Sequence, residues 1–420
     1  MLRKLTGLVV ALALALGVLP LAGCWDRSEL EERAFVLALG LDRGKGTVLE
    51  VTMMIALPKA MAGGDKGGGG GGGGGGDKPY FLTTVQAPTI GSAVSLVNAA
   101  INRRVSLLHM KALFMGESLA RESGMYTMDG FTRFRQARQS IMYVVTKGRA
   151  ADFLKGMDPK IETDPQRFIE QLAYNSRYTG MLPAASQIHT FVTTVSTGYI
   201  EPVTYYAALK EEGGDEDATA GLRKEVGWEA GELPRTGGPN IEMLGAAAFR
   251  GERMVGVLTG GEIRMILMMQ DRFNQGFFAI PDPRQPELFV SAELHRGRPF
   301  RLELDLGGDK PRLRGLITLE AELLATQGQR DYTAPHLQAE LESAITRELE
   351  SRIRETIRKT QGMKADVIGF GYQAVRQFPT VRAWEAYNWP DKYADADVEI
   401  TVRVVMRRAG IRLRPPKMRD

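Results

Sequence analysis

Phe300-Arg301-Leu302-Glu303-Leu304-Asp305-Leu306, then the turn Gly307-Gly308-Asp309-Lys310, then a second run carrying Leu313, Ile317, Leu319 and Leu323 on one side, decides the fold class. Successive side chains of a strand point to opposite faces, so leucines alternating with Arg301, Glu303 and Asp305 give one buried face and one wet face. The glycine-rich turn folds this strand onto its partner as a half-buried antiparallel hairpin. From about Ala334 to Gln361 apolar residues recur at Leu337, Leu341, Ile345, Leu349, Ile353 and Ile357, which predicts a long helix. A four-residue step drifts ~40° around a helix of 3.6 residues per turn, so the apolar stripe winds and the helix crosses a twisted sheet obliquely. Glu348 to Arg352 and Glu350 to Arg354 are spaced for i,i+4 pairs on its wet side. Val398, Ile400, Val402, Val404 and Met406 alternate as one more half-buried strand. The fold class is α+β, with largely antiparallel sheets packed by helices in two to three small mixed domains.

Upstream, Ala34 to Leu41 and Thr47 to Leu57 are β-rich runs joined by Asp42-Arg43-Gly44-Lys45-Gly46, a second hairpin. Tyr80 to Val85 is extended, and Thr89 caps a helix with Ile90, Val94, Val97 and Ile101 on one face. Ala112 to Met115 and Ile141 to Val145 read as short buried strands, and Asp164-Pro165 opens a helix toward Asn175. Between Pro58 and Pro79 lies an unbroken glycine run, Gly67 to Gly76, with no side chain to bury and a large backbone entropy to lose. The stretch 63–78 therefore reads as a flexible loop. Residues 211–240 turn to Gly, Glu, Asp and Pro and read as a linker between residues 24–210 and residues 241–412, the latter divisible into two subdomains.

The N-terminus carries Arg3 and Lys4, an apolar stretch from Leu8 to Leu19, and Leu21-Ala22-Gly23-Cys24. That apolar stretch is shorter than the ~20 residues that span a bilayer, and the small residues before Cys24 suit a peptidase. The pattern is that of a bacterial lipoprotein signal over residues 1–23, cut before Cys24, with Cys24 as the lipidation site. Cys24 is the single cysteine, so the chain has no internal disulfide and no thiolate metal site. Of 54 Lys+Arg, Arg3 and Lys4 fall in the leader, leaving 52 against 50 Asp+Glu and no charge argument for nucleic acid.

Catalytic patterns are missing from the sequence. His109, His189, His295 and His336 show no ligand spacing, there is no Gly-x-Ser-x-Gly elbow, and Glu31-Glu32 and Glu211-Glu212 lie in polar stretches. Gly369-Phe370-Gly371-Tyr372-Gln373-Ala374 has the form of a dinucleotide loop, with Asp391 downstream. Yet Lys364 to Ile368 is too short and polar for a buried parallel strand, and Pro379 would truncate the helix that receives the pyrophosphate. Close packing around the glycines is the expected role. Met265, Met268 and Met269 are expected to fill core, and Trp384 and Trp389 to form an aromatic cluster beside Pro379. No catalytic residue, cofactor or metal is expected.

Three stretches carry a family resemblance. They are Gly23-Cys24-Trp25-Asp26-Arg27-Ser28-Glu29-Leu30 with Gly40-Leu41-Asp42; Gly245-Ala246-Ala247-Ala248-Phe249 with Met254-Val255-Gly256 and Glu262; and Asp366 to Gly371 with Phe378-Pro379, Trp384, Asn388-Trp389 and Val402 to Gly410. In order and spacing the chain resembles the Ger(x)C family, the lipoprotein C-subunits of germinant receptors in endospore-forming bacteria. The glycine-rich stretch Gly63 to Gly76 departs from the family pattern. The resemblance implies three small mixed domains, a lipid anchor on the outer face of the spore inner membrane, two integral membrane partners (the A and B subunits), and no catalysis.

The implied function is a membrane-anchored, non-enzymatic receptor subunit required to trigger spore germination. The alternative is a solute-binding lipoprotein of an importer, which needs two parallel-sheet lobes around a cleft; a tethered hydrolase would need a nucleophile and base, and none is in evidence. Deleting Gly67 to Gly76 should leave the melting temperature nearly unchanged, because loop-closure entropy varies only as ~(3/2)RT ln n. A large drop in thermal unfolding temperature would show that the run is structural.

Overall fold

The computed structural model describes residues 29–46, 48–57, 78–123, 130–159, 162, 164–210, 227–328 and 330–408, with isolated positions near the N-terminus. Cys24, the glycine run Gly67 to Gly76 and Glu211-Glu212 lie outside these residues. The expected hairpin is present as β1 (Arg33–Arg43) antiparallel to β2 (Leu49–Ala56), extended by β3 (Tyr80–Ala87). On its other side β1 runs parallel to β4 (Arg104–Ser106) and β5 (Ala112–Gly116), followed by β6 (Met142–Thr146) and β7 (Val203–Leu209), also parallel. The first two strands after the linker, β8 (Ile241–Arg250) and β9 (Arg253–Leu258), add antiparallel at the β7 edge and complete a nine-stranded sheet.

Both faces of this sheet are covered, which is why β1 and β5 read as apolar runs rather than as alternation. Val36, Leu39, Val51, Leu113 and Tyr143 pack with α1 (Ile90–Ala100) and α5 (Ile188–Thr197) on one face. Leu37, Met54, Phe114 and Val144 pack with α3 (Ala150–Gly156) and α4 (Pro165–Thr179) on the other; the short α2 (Glu117–Glu122) follows β5. A register shift between Val36 and Ala38 puts Val36 and Leu39 on the same face despite their odd spacing. Thr89 caps α1 as expected, its side chain accepting from the Ser92 N–H at 3.1 Å.

The second sheet is built on the opening stretch. β12 (Arg301–Asp305) pairs antiparallel with β13 (Arg312–Thr326), and β11 (Phe289–Arg296) lies end to end with β12 on the same edge of β13, backed by β10 (Gln275–Pro281). Helix α7 (Pro335–Gly362) then returns the chain to β14 (Asp397–Arg408), which runs parallel to β13. A parallel partner needs a long crossover, and the winding apolar stripe provides it. Leu341, Ile345, Leu349, Ile353 and Ile357 are all buried against Leu313, Ile317, Leu319 and β14.

Glu348 and Arg352 form the expected i,i+4 pair at 2.7 Å. Glu350 instead turns inward: its carboxylate accepts the Val402 N–H at 3.0 Å, and Glu342 accepts that of Met406 at 2.7 Å. These N–H groups lie on the free edge of β14, so α7 satisfies the edge with side chains where no further strand does. α6 (Gly260–Met269), opened by a Thr259–Glu262 capping box, buries Met265, Met268 and Met269 in the same core. Leu349, 0% exposed, sits mid-stripe. Leu349→Ala should lower unfolding free energy by about 2–5 kcal/mol in urea denaturation; a loss under about 1 kcal/mol would contradict this packing.

Candidate functional site

The densest buried polar arrangement centres on Asp366, whose side chain is 1% exposed. A carboxylate removed from water needs donors, and the chain supplies four. The N–H groups of Gly369 and Phe370 reach Oδ1 at 2.9 and 3.2 Å, while the Gly371 N–H and the Trp389 indole reach Oδ2 at 2.6 and 2.8 Å. Burial pushes the Asp366 carboxyl up; the Gly371 N–H, the Trp389 indole and the two remaining amides pull it back.

The glycines that mimic a dinucleotide loop are explained by this turn. Gly369 adopts φ +95°, and a Cβ on Gly371 would lie 2.1 Å from the Tyr199 carbonyl oxygen and 2.6 Å from Trp389 Nε1. α8 (Gly371–Ala374) is one turn long and ends before Pro379, as the sequence predicts.

The turn also joins the two halves of the chain. The Glu201 N–H donates to the Asp366 carbonyl at 3.0 Å, and the Trp384 indole to the Gly198 carbonyl at 3.3 Å. Trp384 on α9 (Val381–Tyr387) and Trp389 on α10 (Trp389–Ala394) stack at 5.9 Å, with Phe378 5.4 Å from Trp384 and Tyr199 6.2 Å from it. The aromatic cluster expected beside Pro379 is present, and it clasps residues 198–202. Beside it the Glu201 carboxylate accepts the Gly251 N–H. Burial pushes Glu201 up to about 7, the Gly251 N–H and Arg250 opposing and Asp366 reinforcing the shift. Asp391 accepts Lys364 and Asn388 at 2.8 and 2.7 Å, and these contacts hold its carboxyl below the usual range.

Two other buried carboxylates work in the same manner. Asp42 accepts the Ala150 and Ala151 N–H groups, both at 2.8 Å, at the start of α3. It thereby fills the carboxyl end of the parallel strands, where a ligand would sit in an open α/β sheet. Glu242 accepts the N–H of Gly231 at 2.7 Å and of Leu233 at 3.2 Å, fixing the described end of the linker.

Cys24 lies outside the described residues, so its modification rests on sequence. His109 packs edge-on against Phe35, His189 hydrogen-bonds Thr193 at 3.4 Å, and His295 is grouped with Glu293 and Glu322, their ligand atoms within 4.8 Å of one another. Spacing along the chain misses this trio because Glu293 and Glu322 meet across strands. Asp366 and Glu201 carry no spacing signal either: each is a lone acid in an apolar setting, and the role of Asp366 shows in the Trp389 indole and the Gly369, Phe370 and Gly371 amides that it accepts.

Two family models cover most of the chain. Residues 26–209 match the spore germination protein N-terminal domain, and residues 244–410 match the spore germination B3/GerAC-like C-terminal domain. The chain belongs to the Ger(x)C family of spore germination proteins. Spore germination protein KC of Bacillus subtilis (strain 168) is 23% identical over 415 residues, covering 97% of each chain. Spore germination protein YndF of the same organism is 23% identical over 429 residues, again covering 97% of each. The crystal structure of the GerBC protein has the same fold, with a TM-score of 0.52 at 14% identity over 91% of this chain and 99% of that one.

In this Ger(x)C chain Tyr199 and Glu201 belong to the first family segment and Asp366 to Trp389 to the second, so the Asp366 turn is a contact between them. Glu201 makes the contact pH-sensitive. Burial holds it at about 7 in the folded protein, above the ordinary glutamate value of 4.5, so its stabilising contribution is full below pH 4.5 and is lost as pH rises through 7. Glu201→Gln keeps an acceptor for Gly251 and removes that loss. The variant should be more stable than the parent at pH 8, by up to about 3 kcal/mol, and equal to it near pH 4. Denaturant midpoints at both pH values test this; parallel pH profiles would refute it.

Proposed function

We propose that this chain is the lipid-anchored C-subunit of a nutrient germinant receptor, attached through Cys24 to the outer face of the spore inner membrane. It works there by contact with two integral membrane subunits and carries out no covalent chemistry of its own. The observation that carries this reading is the ordered pair of family segments, the first opening two residues after Cys24. We place the unit boundaries at residues 24–210 and 241–412 with 211–240 between, β8 and β9 being lent to the first sheet.

Among the described residues no helix is long and apolar enough to cross a membrane. Acylation at Cys24 would supply the attachment, each buried CH₂ contributing ~0.8 kcal/mol. The buried carboxylates of the site act on backbone amides, an arrangement suited to holding elements together. A subunit of this kind biases a receptor by touching one conformation more favourably than another.

In a strain relying on this receptor alone, spores lacking the gene should fail to respond to the receptor's nutrients yet germinate normally with a trigger that bypasses receptors. Cys24→Ala should give a folded protein that leaves the membrane fraction, and intact mass of the parent should show lipid on an N-terminal Cys24. A normal nutrient response in the deletion strain, or an unmodified terminus, would overturn the respective part of the proposal.

A further inference from the structure

The outward face of the second sheet, away from α7, carries a trough that the germination reading does not use. Its floor is β13, where Leu316 and Thr318 face outward. One bank is formed by Arg298 and Arg301 at the junction of β11 and β12, the other by Arg403 and Arg407 on β14; the enclosed space is about 360 Å³. Registration sets this up: Arg301 pairs with Leu316 across one edge of β13, and Arg403 with Thr318 across the other. Adjacent strands are ~4.8 Å apart, so the banks stand about 10 Å from each other.

The first bank depends on Gly297, whose N–H donates to the Thr318 carbonyl at 3.0 Å. A Cβ at that position would lie 2.8 Å from the same oxygen, so the close crossing between β11 and β12 requires glycine.

Nearby arginines show what is unusual here. Arg314 pairs with Asp397 and Glu399, and Arg407 with Glu320 at 3.2 Å. Arg298, Arg301 and Arg403 are exposed and have no ion pair among the described residues. Unpaired like charges around one trough repel each other, a cost offset when an anion enters. Beyond Glu320 the face changes sign, with Glu293 and Glu322 next along the strands, so the trough has a positive and a negative end.

We propose that this trough binds an extended, glutamate- or aspartate-rich segment of a partner protein. Guanidinium groups hold carboxylates bidentately, and successive side chains of an extended segment point to opposite sides, so neighbouring carboxylates reach both banks. The width fits one strand. A planar bilayer would touch the arginine tips and leave the Leu316 and Thr318 floor uncovered, which favours the peptide. The inference stands apart from the receptor assignment and needs no catalytic or anchoring role.

The test is fluorescence anisotropy of a labelled decamer of glutamate with the full chain purified in detergent, beside a decamer of lysine and phosphatidylglycerol vesicles. The glutamate peptide should bind saturably and weaken with salt, while the lysine peptide should not bind. Arg301→Glu and Arg403→Glu should each weaken binding at least about tenfold, with Arg301→Gln intermediate and the exposed Arg382→Glu without effect. Circular dichroism checks folding, and Arg301→Gln serves if a reversal unfolds the sheet. Absence of saturable binding, equal affinity in the trough variants, or tighter arginine-dependent binding to vesicles than to the peptide would each overturn the proposal.

Discussion

A carboxylate buried without donors would not survive in this fold, and the demand of Asp366 for four of them organises the contact between its halves. To satisfy Oδ1 and Oδ2 the backbone must close into a turn tight enough to need Gly369 and Gly371. Trp389 must lie with its indole inward, which sets the start of α10. Because Trp389 is fixed, Trp384 stacks on it at 5.9 Å and meets the Gly198 carbonyl from the first segment. Leaving a single donor unmade costs about 1–3 kcal/mol, so each contact in the chain of dependence has a reason to persist.

The same device recurs because the chain has no covalent alternative. Its one cysteine lies at position 24, before the first described strand, and no second cysteine is present to cross-link the sheets. Asp42 reaches from the end of β1 to the start of α3, and Glu242 from β8 back to the described end of the linker. Glu342 and Glu350 reach from α7 to the free edge of β14. In each case an acidic side chain takes amide protons that regular hydrogen bonding leaves over, and for Asp42, Glu342 and Glu350 the elements joined are distant in sequence. Short-range polar contacts thus do work that disulfides perform in many exported proteins.

Much of this was legible in the sequence where periodicity carries the information. The hairpin at Phe300 to Leu323, the length of α7 and the alternation of β14 follow from which side chains must leave water, and the structure has all three. Periodicity gives a residue's face and not its neighbour, however. The parallel pairing of β13 with β14, and of β1 with β5 through β7, had no local signature. Glu350 was expected on the wet side with Arg354 because helical spacing was the only relation available; its actual acceptor role depends on a strand fifty residues away. The packing role of Gly371 and the aromatic role of Trp384 and Trp389 were readable from composition and Pro379. The acid at their centre was not, since a carboxylate's donors here are backbone amides, and these carry no residue identity.

The two sheets divide their labour along the same physical line. The first is covered on both faces, so its strands are spent on core, and the position at the end of its parallel strands is taken by Asp42. The second is covered on one face by α7, leaving a charged outer surface whose arginines are partly unpaired. The outer surface of the second sheet is accessible, and packed elements connect it to the rest of the molecule. α7 and β14 lead from the outer sheet to the Asp366 turn, which passes directly to Glu201 and β7 of the first sheet. Burial pushes Glu201 up to about 7, so the firmness of that route falls as pH rises from 4.5 through 7. The Glu201 charge is opposed by Asp366 across the junction, whereas the four donors of Asp366 are groups other than the Gly251 N–H that Glu201 accepts.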